Sequence, residues 1–376
     1  MHIMKRLLAT LSRLFSSTSR AQKTSEILYT NGSTTEATKP FAPIAFGGAR
    51  ILSNSYDPAR SCWVMAFDRI VTEIGEKAFN ECTSLTSVTI PNGVTEIGRM
   101  AFMKCTSLTS VTIGDGVTSI GYSAFYDCTS LTSVTIPDSV TSIGSCAFSD
   151  CVNLAEFNGK FASPDKRCLI VEGRLVSFAP AGLTRYTIPD SVTEIGASAF
   201  ENCTSLTSIT IPNYVTWIGR KAFMMCTSLT SVTIPNYVAE IGASAFYNCT
   251  SLKSVYCNSD TPPRLNSFLC RWPWFAHNAQ DRKIYVPQQS VEAYKKADGW
   301  KRFADSIVSH KNSNEQGGVP SEILYTNGST TEAITPRSSY VFRGAKVISN
   351  SYDPVRSCWV MAFDRIVTEI GGGGIL

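Results

Sequence analysis

The ten residues CTSLTSVTIP at positions 82–91 decide the fold, because the chain repeats them almost without change. The same ten letters return at 128–137 and 226–235, and the near-copies CTSLTSVTIG and CTSLTSITIP occupy 105–114 and 203–212. A catalytic centre brings a few unlike groups together once. Repetition of a single polar segment therefore predicts a repeating scaffold.

The aligned copies belong to a 23-residue unit, I-G-x-x-A-F-x-x-C-T-S-L-T-S-V-T-I-P-x-x-V-T-x. This unit starts at Ile74, Ile97, Ile120, Ile143, Ile195, Ile218 and Ile241. One interval between copies is longer than the others, and it contains the segment 172–194. That segment keeps the end of the unit but replaces its beginning with EGRLVSFAPAG. We interpret 172–194 as an additional, atypical repeat, which makes about eight repeats in all.

The middle of each unit predicts a short β-strand. Alternate side chains of a strand point to opposite faces, so Val88 is expected inside while Ser87 and Thr89 face outward. Val and Thr both favour strands because their branched Cβ atoms pack well on a pleated surface. Pro91 lacks the N–H needed for further pairing and is expected to end the strand.

The start of each unit predicts a short helical turn, because Ala78, Phe79 and Cys82 have a spacing that gives one apolar side. A single unit is too small to bury its own apolar groups, so neighbouring units must stack. A period of 23 residues lies within the leucine-rich-repeat range. The predicted fold is therefore an α/β, right-handed leucine-rich-repeat solenoid. Its parallel strands lie on the concave face, with short helical turns opposite them and a cap at each end.

The repeated unit resembles the BspA-type leucine-rich repeats of bacterial and protozoan surface proteins. The flanking stretches SNSYDPARSCWVMAFDRIVTEIG at 53–75 and KIYVPQQSVEAYKKADGWKRFADSIV at 283–308 also resemble that family. The resemblance implies a secreted or surface-attached protein. It further implies that adhesion to host extracellular-matrix proteins is one function to consider.

The chain is expected to contain further segments on both sides of the repeats. Strands are predicted at 62–67 and 284–286, and a helix is predicted over 290–307. The predicted segments are a degenerate signal or targeting segment at 1–24, an N-terminal cap at 25–73, the solenoid at 74–256, a C-terminal cap at 257–309, a linker at 310–320 and a truncated duplicate of the N-terminal cap at 321–376. The duplication is close, because residues 321–371 match residues 25–75 at 39 of 51 positions.

Charge and hydropathy exclude two classes of partner. The net charge is +4, but five basic residues precede Glu26, so the remaining chain is close to neutral and is not expected to bind nucleic acid. No run of 18 apolar residues exists, so no transmembrane helix is expected.

Residues 1–24 are basic and serine-rich, which fits both a signal peptide and an organelle transit peptide. With the family resemblance, an extracellular or cell-surface location is expected.

The residues that usually carry chemistry do not form a catalytic pattern. Seven of the 13 cysteines occupy one repeat position, where we expect buried, reduced thiols. No C-x-x-C motif occurs and the three histidines lie outside the repeats, so we predict no enzyme activity, no metal site and no cofactor. The sequence leaves undecided whether one disulfide forms among the non-repeat cysteines Cys62, Cys168, Cys257, Cys270 and Cys358.

Two binding hypotheses remain. The first is an interaction module for a protein or glycan ligand, with an extracellular-matrix protein as one candidate. Its predicted contact residues are Tyr214, Trp217 and Tyr237, because exposed aromatic side chains lose little entropy on binding. The alternative uses the outward Ser and Thr side chains of the strands as a regular lattice that binds ice or a crystalline polysaccharide.

Overall fold

The computed structural model describes residues 25–42, 45–266 and 274–310, and the backbone of three later strands at 322–325, 347–353 and 358–363. The targeting segment predicted at 1–24 lies outside the described residues, as does the predicted linker apart from His310. The described chain forms a parallel-strand solenoid of about 10 turns, which confirms the predicted fold class. None of its helices is long and apolar enough to cross a membrane.

The first three strands form an antiparallel sheet next to the first repeat. They are β1 (Glu26–Thr30), β2 (Ile51–Asp57) and β3 (Cys62–Phe67), with β3 between the other two. The strand predicted at 62–67 is therefore present at those residues. β1 also pairs antiparallel with the strand of the first repeat, where Tyr29 lies opposite Val88. The outer edge of that repeat strand is thus hydrogen-bonded rather than open to another chain.

The repeats contain 18 further strands, most of them two to four residues long. In chain order they are β4 (Glu73–Ile74), β5 (Ser87–Thr89), β6 (Glu96–Ile97), β7 (Ser110–Thr112), β8 (Ser119–Ile120), β9 (Ser133–Ile136), β10 (Ser142–Ile143), β11 (Glu156–Gly159), β12 (Cys168–Val171), β13 (Arg174–Phe178), β14 (Arg185–Thr187), β15 (Glu194–Ile195), β16 (Ser208–Thr210), β17 (Trp217–Ile218), β18 (Ser231–Ile234), β19 (Glu240–Ile241), β20 (Ser254–Cys257) and β21 (Arg264–Leu265).

Row one is the stack of the predicted strands, β5, β7, β9, β11, β14, β16, β18 and β20. They pair in parallel as β5–β7, β9–β11, β14–β16 and β18–β20, with equivalent residues in register, so that Val88 lies opposite Val111. The row continues between two of these pairs through a hydrogen bond from Thr230 N–H to the Thr207 carbonyl, 3.3 Å long. Val88 is buried and Thr89 is exposed, as the alternation predicts.

Row two is a second stack of strands that the sequence did not predict. It comprises β4, β6, β8 and β10, and then β13, β15, β17, β19 and β21, again in parallel. Most of its strands end at the Ile before a repeated Gly, and Ile74 pairs with Ile97. A Cβ on Gly98 would lie 2.8 Å from the Gly75 carbonyl carbon, so glycine is what lets neighbouring repeats approach this closely.

The third stack, which we call the turn row, occupies the place of the predicted helical turns. Lys77 and Glu81 have left-handed φ angles of 57° and 58°, so this segment is not helical. Its N–H groups bond to the next repeat, as from Phe79 to the Ala101 carbonyl at 2.7 Å. The predicted helical turn is therefore wrong at this point. Bonds between repeats satisfy the backbone in place of bonds within one turn.

Phenylalanine rings of the turn row form two continuous stacks in the core. Phe79, Phe102, Phe125 and Phe148 lie 5.1 to 5.2 Å apart between ring centroids, and their planes are nearly parallel. A second stack joins Phe200, Phe223, Phe246 and Phe275 at 5.0 to 5.4 Å. The identical residue in each repeat therefore builds a column of aromatic contacts along the solenoid.

The atypical repeat interrupts this regular stacking, and we call the interruption the seam. β12 and β13 form an antiparallel hairpin there, and β13 rather than β10 pairs with β15. The buried apolar residues divide into two clusters on either side. Phe178 lies at the seam end of the second aromatic column, with its ring 4.7 Å from that of Phe200. The turn row passes directly from 145–150 to 197–202.

The chain after the repeats adds β22 (Lys283–Pro287) and β23 (Ile307–His310), which extend row one in parallel. Between them lie a 3₁₀ turn (Gln288–Ser290), helix α1 (Val291–Lys296) and a 3₁₀ helix (Trp300–Ser306). The continuous helix predicted over 290–307 is wrong. Ala297 is extended and Gly299 has a φ of 82°, which breaks the helical path.

Three final strands repeat the pairing of the first three. They are β24 (Glu322–Tyr325), β25 (Val347–Asp353) and β26 (Cys358–Phe363), all antiparallel, with β26 in the centre. Glu322 lies opposite Ala362, just as Glu26 lies opposite Ala66. The near-identical sequences therefore give the same strand register.

Candidate functional site

The predicted contact residues Tyr214 and Tyr237 occupy equivalent turns of adjacent repeats, between row one and row two. Each turn is closed by a hydrogen bond, from Val215 N–H to the Pro212 carbonyl at 3.2 Å and from Val238 N–H to the Pro235 carbonyl at 3.3 Å. The tyrosine side chains are 65% and 56% exposed, which is high for such large apolar groups. Two rigid turns thus present aromatic rings to solvent one repeat apart.

Trp217 differs from the two tyrosines because it is half-buried at the start of β17. In row two it lies in register between Glu194 and Glu240. The guanidinium carbon of Arg174 lies 5.5 Å from the centre of a Trp217 ring, and Arg174 is also 2.7 Å from the Glu194 carboxylate. Trp217 is therefore held by charged neighbours and offers less free surface than the tyrosines.

The charged groups beside Trp217 stabilise one another. Burial raises the pKa of Glu240, but hydrogen bonds from Asn266 and Arg264 outweigh it and leave that pKa below its ordinary value. The Asn266 amide donates to Glu240 at 2.7 Å, and the Arg264 Nε donates to it at 2.9 Å. Glu240 therefore keeps its negative charge at neutral pH.

The Ser and Thr side chains proposed as a lattice project from row one. Thr89, Thr112, Thr135, Thr210 and Thr233 are all exposed. The positions of the array are not uniform, since Glu156 and Arg185 replace Ser on β11 and β14. The strand pairs β9–β11 and β14–β16 also belong to separate sheets, with the hairpin between them in the chain.

The seven repeated cysteines are buried, as predicted; they are Cys82, Cys105, Cys128, Cys151, Cys203, Cys226 and Cys249. Their thiols also make a contact that the sequence did not predict. The Sγ of Cys105 donates to the Phe79 carbonyl at 3.1 Å, and the same contact recurs in later repeats. Burial raises the pKa of the Cys82 thiol to about 11 and that of Cys151 to about 12. The thiols of Cys82 and Cys151 are therefore too weakly acidic to act as nucleophiles at neutral pH.

The non-repeat cysteines Cys62, Cys168 and Cys257 carry free thiols, so the open disulfide pairing is not made among them. Cys270 lies outside the described residues. No cluster of three or more His, Cys, Asp or Glu side chains suited to a metal ion occurs in the described ranges.

A further surface, which the sequence reasoning missed, is a cleft of about 410 Å³ at the seam. We call it the seam cleft. Its lining includes Met103, Tyr122, Tyr126, Cys146, Glu201 and Lys221. The cleft lies where the atypical repeat lacks a turn-row segment. The signal was present in the sequence, since EGRLVSFAPAG replaces the G-x-x-A-F part of the unit.

The electrostatics of the seam cleft centre on Glu201. Its carboxylate is 4% exposed and lies 3.3 Å from the ammonium of Lys221, which is 32% exposed. Burial, followed by the negative charges of Glu201 and Asp150, raises the pKa of Tyr126 far above its ordinary value. Tyr126 is therefore a neutral hydroxyl at any physiological pH.

The match to a known family profile agrees with this architecture. Residues 51–163 and 176–267 match the family profile described as BspA type leucine rich repeat region, in six copies. A search of curated proteins gives no match. A solved leucine-rich repeat protein from Eubacterium ventriosum is 25% identical, covering 64% of this chain and 70% of its own, with a TM-score of 0.45.

Two further solved structures are similar to parts of this chain. The leucine-rich repeat protein of T. pallidum is 29% identical, covering 49% of this chain and 73% of its own, with a TM-score of 0.31. A leucine rich cell surface protein from Faecalibacterium prausnitzii is 23% identical, covering 65% of this chain and 89% of its own, also with a TM-score of 0.31.

Proposed function

This chain belongs to the BspA-type leucine-rich repeat family, and on that basis we propose that it is a surface or secreted adhesin. Leucine-rich repeat proteins are generally non-enzymatic modules that bind other proteins, and no catalytic family matches this sequence. The proposed ligand is a protein, and an extracellular-matrix protein is the first to test. Members of the family are often surface proteins, which supports the proposed location.

The observation that carries the proposal is the exposure of Tyr214 and Tyr237 on adjacent repeats. Tyrosine is enriched in protein interfaces because it offers a large apolar area and a polar hydroxyl, with only two side-chain torsions to fix. The turns that hold both residues are tied to neighbouring backbone. Little conformational entropy would therefore be lost when a partner covers them.

Trp217 completes the proposed contact set with the charged groups around it. Arg174, Glu194 and Glu240 would form a polar rim beside the aromatic residues. Interfaces commonly combine a few aromatic anchors with such a rim. We assign the larger share of the affinity to the tyrosines, because Trp217 already packs against Arg174.

The test is binding of the full chain to a panel of immobilised extracellular-matrix proteins and glycans, beside a variant with Tyr214→Ala, Trp217→Ala and Tyr237→Ala. We expect at least one matrix protein to bind the parent chain, with binding lost in the triple variant. Phe41→Ala is the control, because Phe41 is 61% exposed but precedes the repeats.

No binding to any matrix protein would argue against adhesion, and binding to glycans alone would change the ligand class. Full binding by a folded triple variant would keep adhesion but reject the site.

A further inference from the structure

The seam cleft exists because one turn-row segment is missing. Elsewhere that row is a backbone ladder, as in the hydrogen bond from Phe125 N–H to the Ala147 carbonyl at 2.8 Å. Across the seam, side chains provide the bridges. Ser149 Oγ donates to the Ser198 carbonyl at 2.8 Å, and the Asn202 amide donates to Asp150 at 2.6 Å. These bridges hold the two sides together and leave the space of about 410 Å³ beside them.

Glu201 has unused hydrogen-bonding capacity in this cleft. Its Oε1 is paired with Lys221, but the buried Oε2 has no hydrogen-bond partner among the described residues. An ionised carboxylate oxygen only accepts hydrogen bonds, so the missing partner must be a donor. A buried acceptor without a partner has a free-energy cost that a bound donor would remove.

Two further carboxylates lie near the cleft, whose own lining carries the cations Arg220 and Lys221 beside Glu201. Asp127 and Asp150 sit beside Tyr126, and neither makes an ion pair within the described ranges. Burial and then the negative charge of Asp150 raise the pKa of Asp127, and the positive charge of Lys104 opposes them. Lys221 is paired with Glu201, and Arg220 is an exposed residue of the lining.

The remaining walls suit an apolar stem. Met100, Met103 and Tyr122 line one side, and Tyr122 is 47% exposed. Arg99 already lies over the Tyr122 ring, with its guanidinium carbon 5.6 Å from the centroid. Thioether and aromatic groups pack well against the methylene chains of long basic side chains.

We propose that the seam cleft binds a lysine or arginine side chain of a protein ligand. The methylene stem packs against Tyr122 and Met103, and the cationic head group donates a hydrogen bond to Glu201 Oε2. This inference deepens the proposed protein-binding function by assigning a chemical class to one contact of the ligand, and it rests on that function for the ligand being a protein.

The test titrates Nα-acetyl-lysine amide into the full chain by isothermal titration calorimetry. Nα-acetyl-norleucine amide, which keeps the stem and lacks the ammonium, is the matched probe. We expect saturable binding of the lysine amide and at least about tenfold weaker binding of the norleucine amide, since a hydrogen bond to a charged group is lost. Equal binding of the two probes, or no saturable binding of the lysine amide, would overturn the proposal.

Variants locate the binding. Glu201→Gln should weaken lysine amide binding by about tenfold or more, because the charge of the acceptor is removed. Glu81→Gln is the control, since Glu81 forms a more exposed 3.2 Å ion pair with Lys104 on the turn row outside the cleft. Unchanged affinity in Glu201→Gln rejects the assigned acceptor.

If Glu201→Gln does not fold, Tyr122→Ala decides the matter, because its partly exposed ring can be removed with little effect on the core. Binding should weaken in that variant too, and unchanged binding rejects the assigned wall. The matrix-protein panel is a separate measurement. If the chain binds the lysine amide but no matrix protein, adhesion alone is rejected. If it binds a matrix protein but not the lysine amide, the cleft alone is rejected.

Discussion

The thiol of Cys128 donates a hydrogen bond to the carbonyl oxygen of Phe102, 3.2 Å away and one repeat earlier. The same relationship joins Cys105 to Phe79, and later Cys249 to Phe223 at 3.0 Å. The repeated cysteine therefore fills core volume and also makes a hydrogen bond between repeats. Its thiol links one repeat to the backbone of the stacked phenylalanine in the repeat before it.

Substitutions at Cys128 should separate packing from charge. Cys128→Ala removes a weak hydrogen bond and one buried sulfur, and we expect a loss of about 1 kcal/mol in the free energy of unfolding. Cys128→Asp places an unpaired charge in the core and should cost several times more. Chemical denaturation of both variants measures the difference. If the Asp variant were as stable as the Ala variant, the buried position of this residue would be wrong.

Stability should fall in alkaline solution as the pH rises above 9. Burial raises the pKa of Cys82 from 9.0 to about 11 and that of Cys151 to about 12. Above pH 9 the folded chain keeps these thiol protons while the unfolded chain releases them. The contribution of the two thiols to the free energy of unfolding is therefore complete below pH 9 and is lost as the pH rises through their folded pKa values. Denaturation midpoints across this pH window test the prediction. A flat profile above pH 9 would contradict it.

Removal of the Phe178 ring should destabilise the protein strongly. Phe178 is buried at the seam, 4.7 Å from the Phe200 ring and 4.6 Å from the Tyr186 ring. Phe178→Ala should cost about 3 to 5 kcal/mol, the usual range for deleting a core aromatic ring. Phe41→Ala is the comparison, since that ring is largely exposed and should cost little. Equal thermal midpoints for the two variants would show that Phe178 is not a core contact.

The protein should show no thermal hysteresis in ice-growth measurements. An ice-binding surface needs a regular array, whereas row one carries Glu156 and Arg185 at Ser positions and its strands fall into separate sheets. Nanolitre osmometry of the full chain tests this, with bovine serum albumin as the inactive reference. Faceted ice crystals and a freezing-point gap would restore the lattice hypothesis.

The sequence predicted row one well because the V-T alternation lasts long enough to identify a strand and recurs at a constant interval. Row two escaped prediction because two residues, such as Glu96–Ile97, cannot display any alternation. The turn row was misassigned for a different reason. The spacing of Ala78, Phe79 and Cys82 fits a helical turn equally well, and only bonds to the neighbouring repeat decide against it.

The candidate surfaces were predictable to different degrees. Tyr214 and Tyr237 could be identified from the sequence because other repeats have Gly or Ser at their position. The structure shows that both side chains are exposed. Whether they bind a partner stays a prediction. The seam cleft could not be seen by inspecting residues one at a time, since it arises from a missing segment and joins Tyr122 to Lys221 across the gap.

The seam also determines how the molecule would respond to tension. A solenoid pulled along its axis shares the force among the hydrogen-bonded stacks that connect successive repeats. In row two β10 has no pairing to β13, and in the turn row side-chain bridges such as Ser149 to Ser198 replace the backbone ladder. A pulling force would therefore open the chain first at this plane, leaving two intact blocks joined by the hairpin β12–β13.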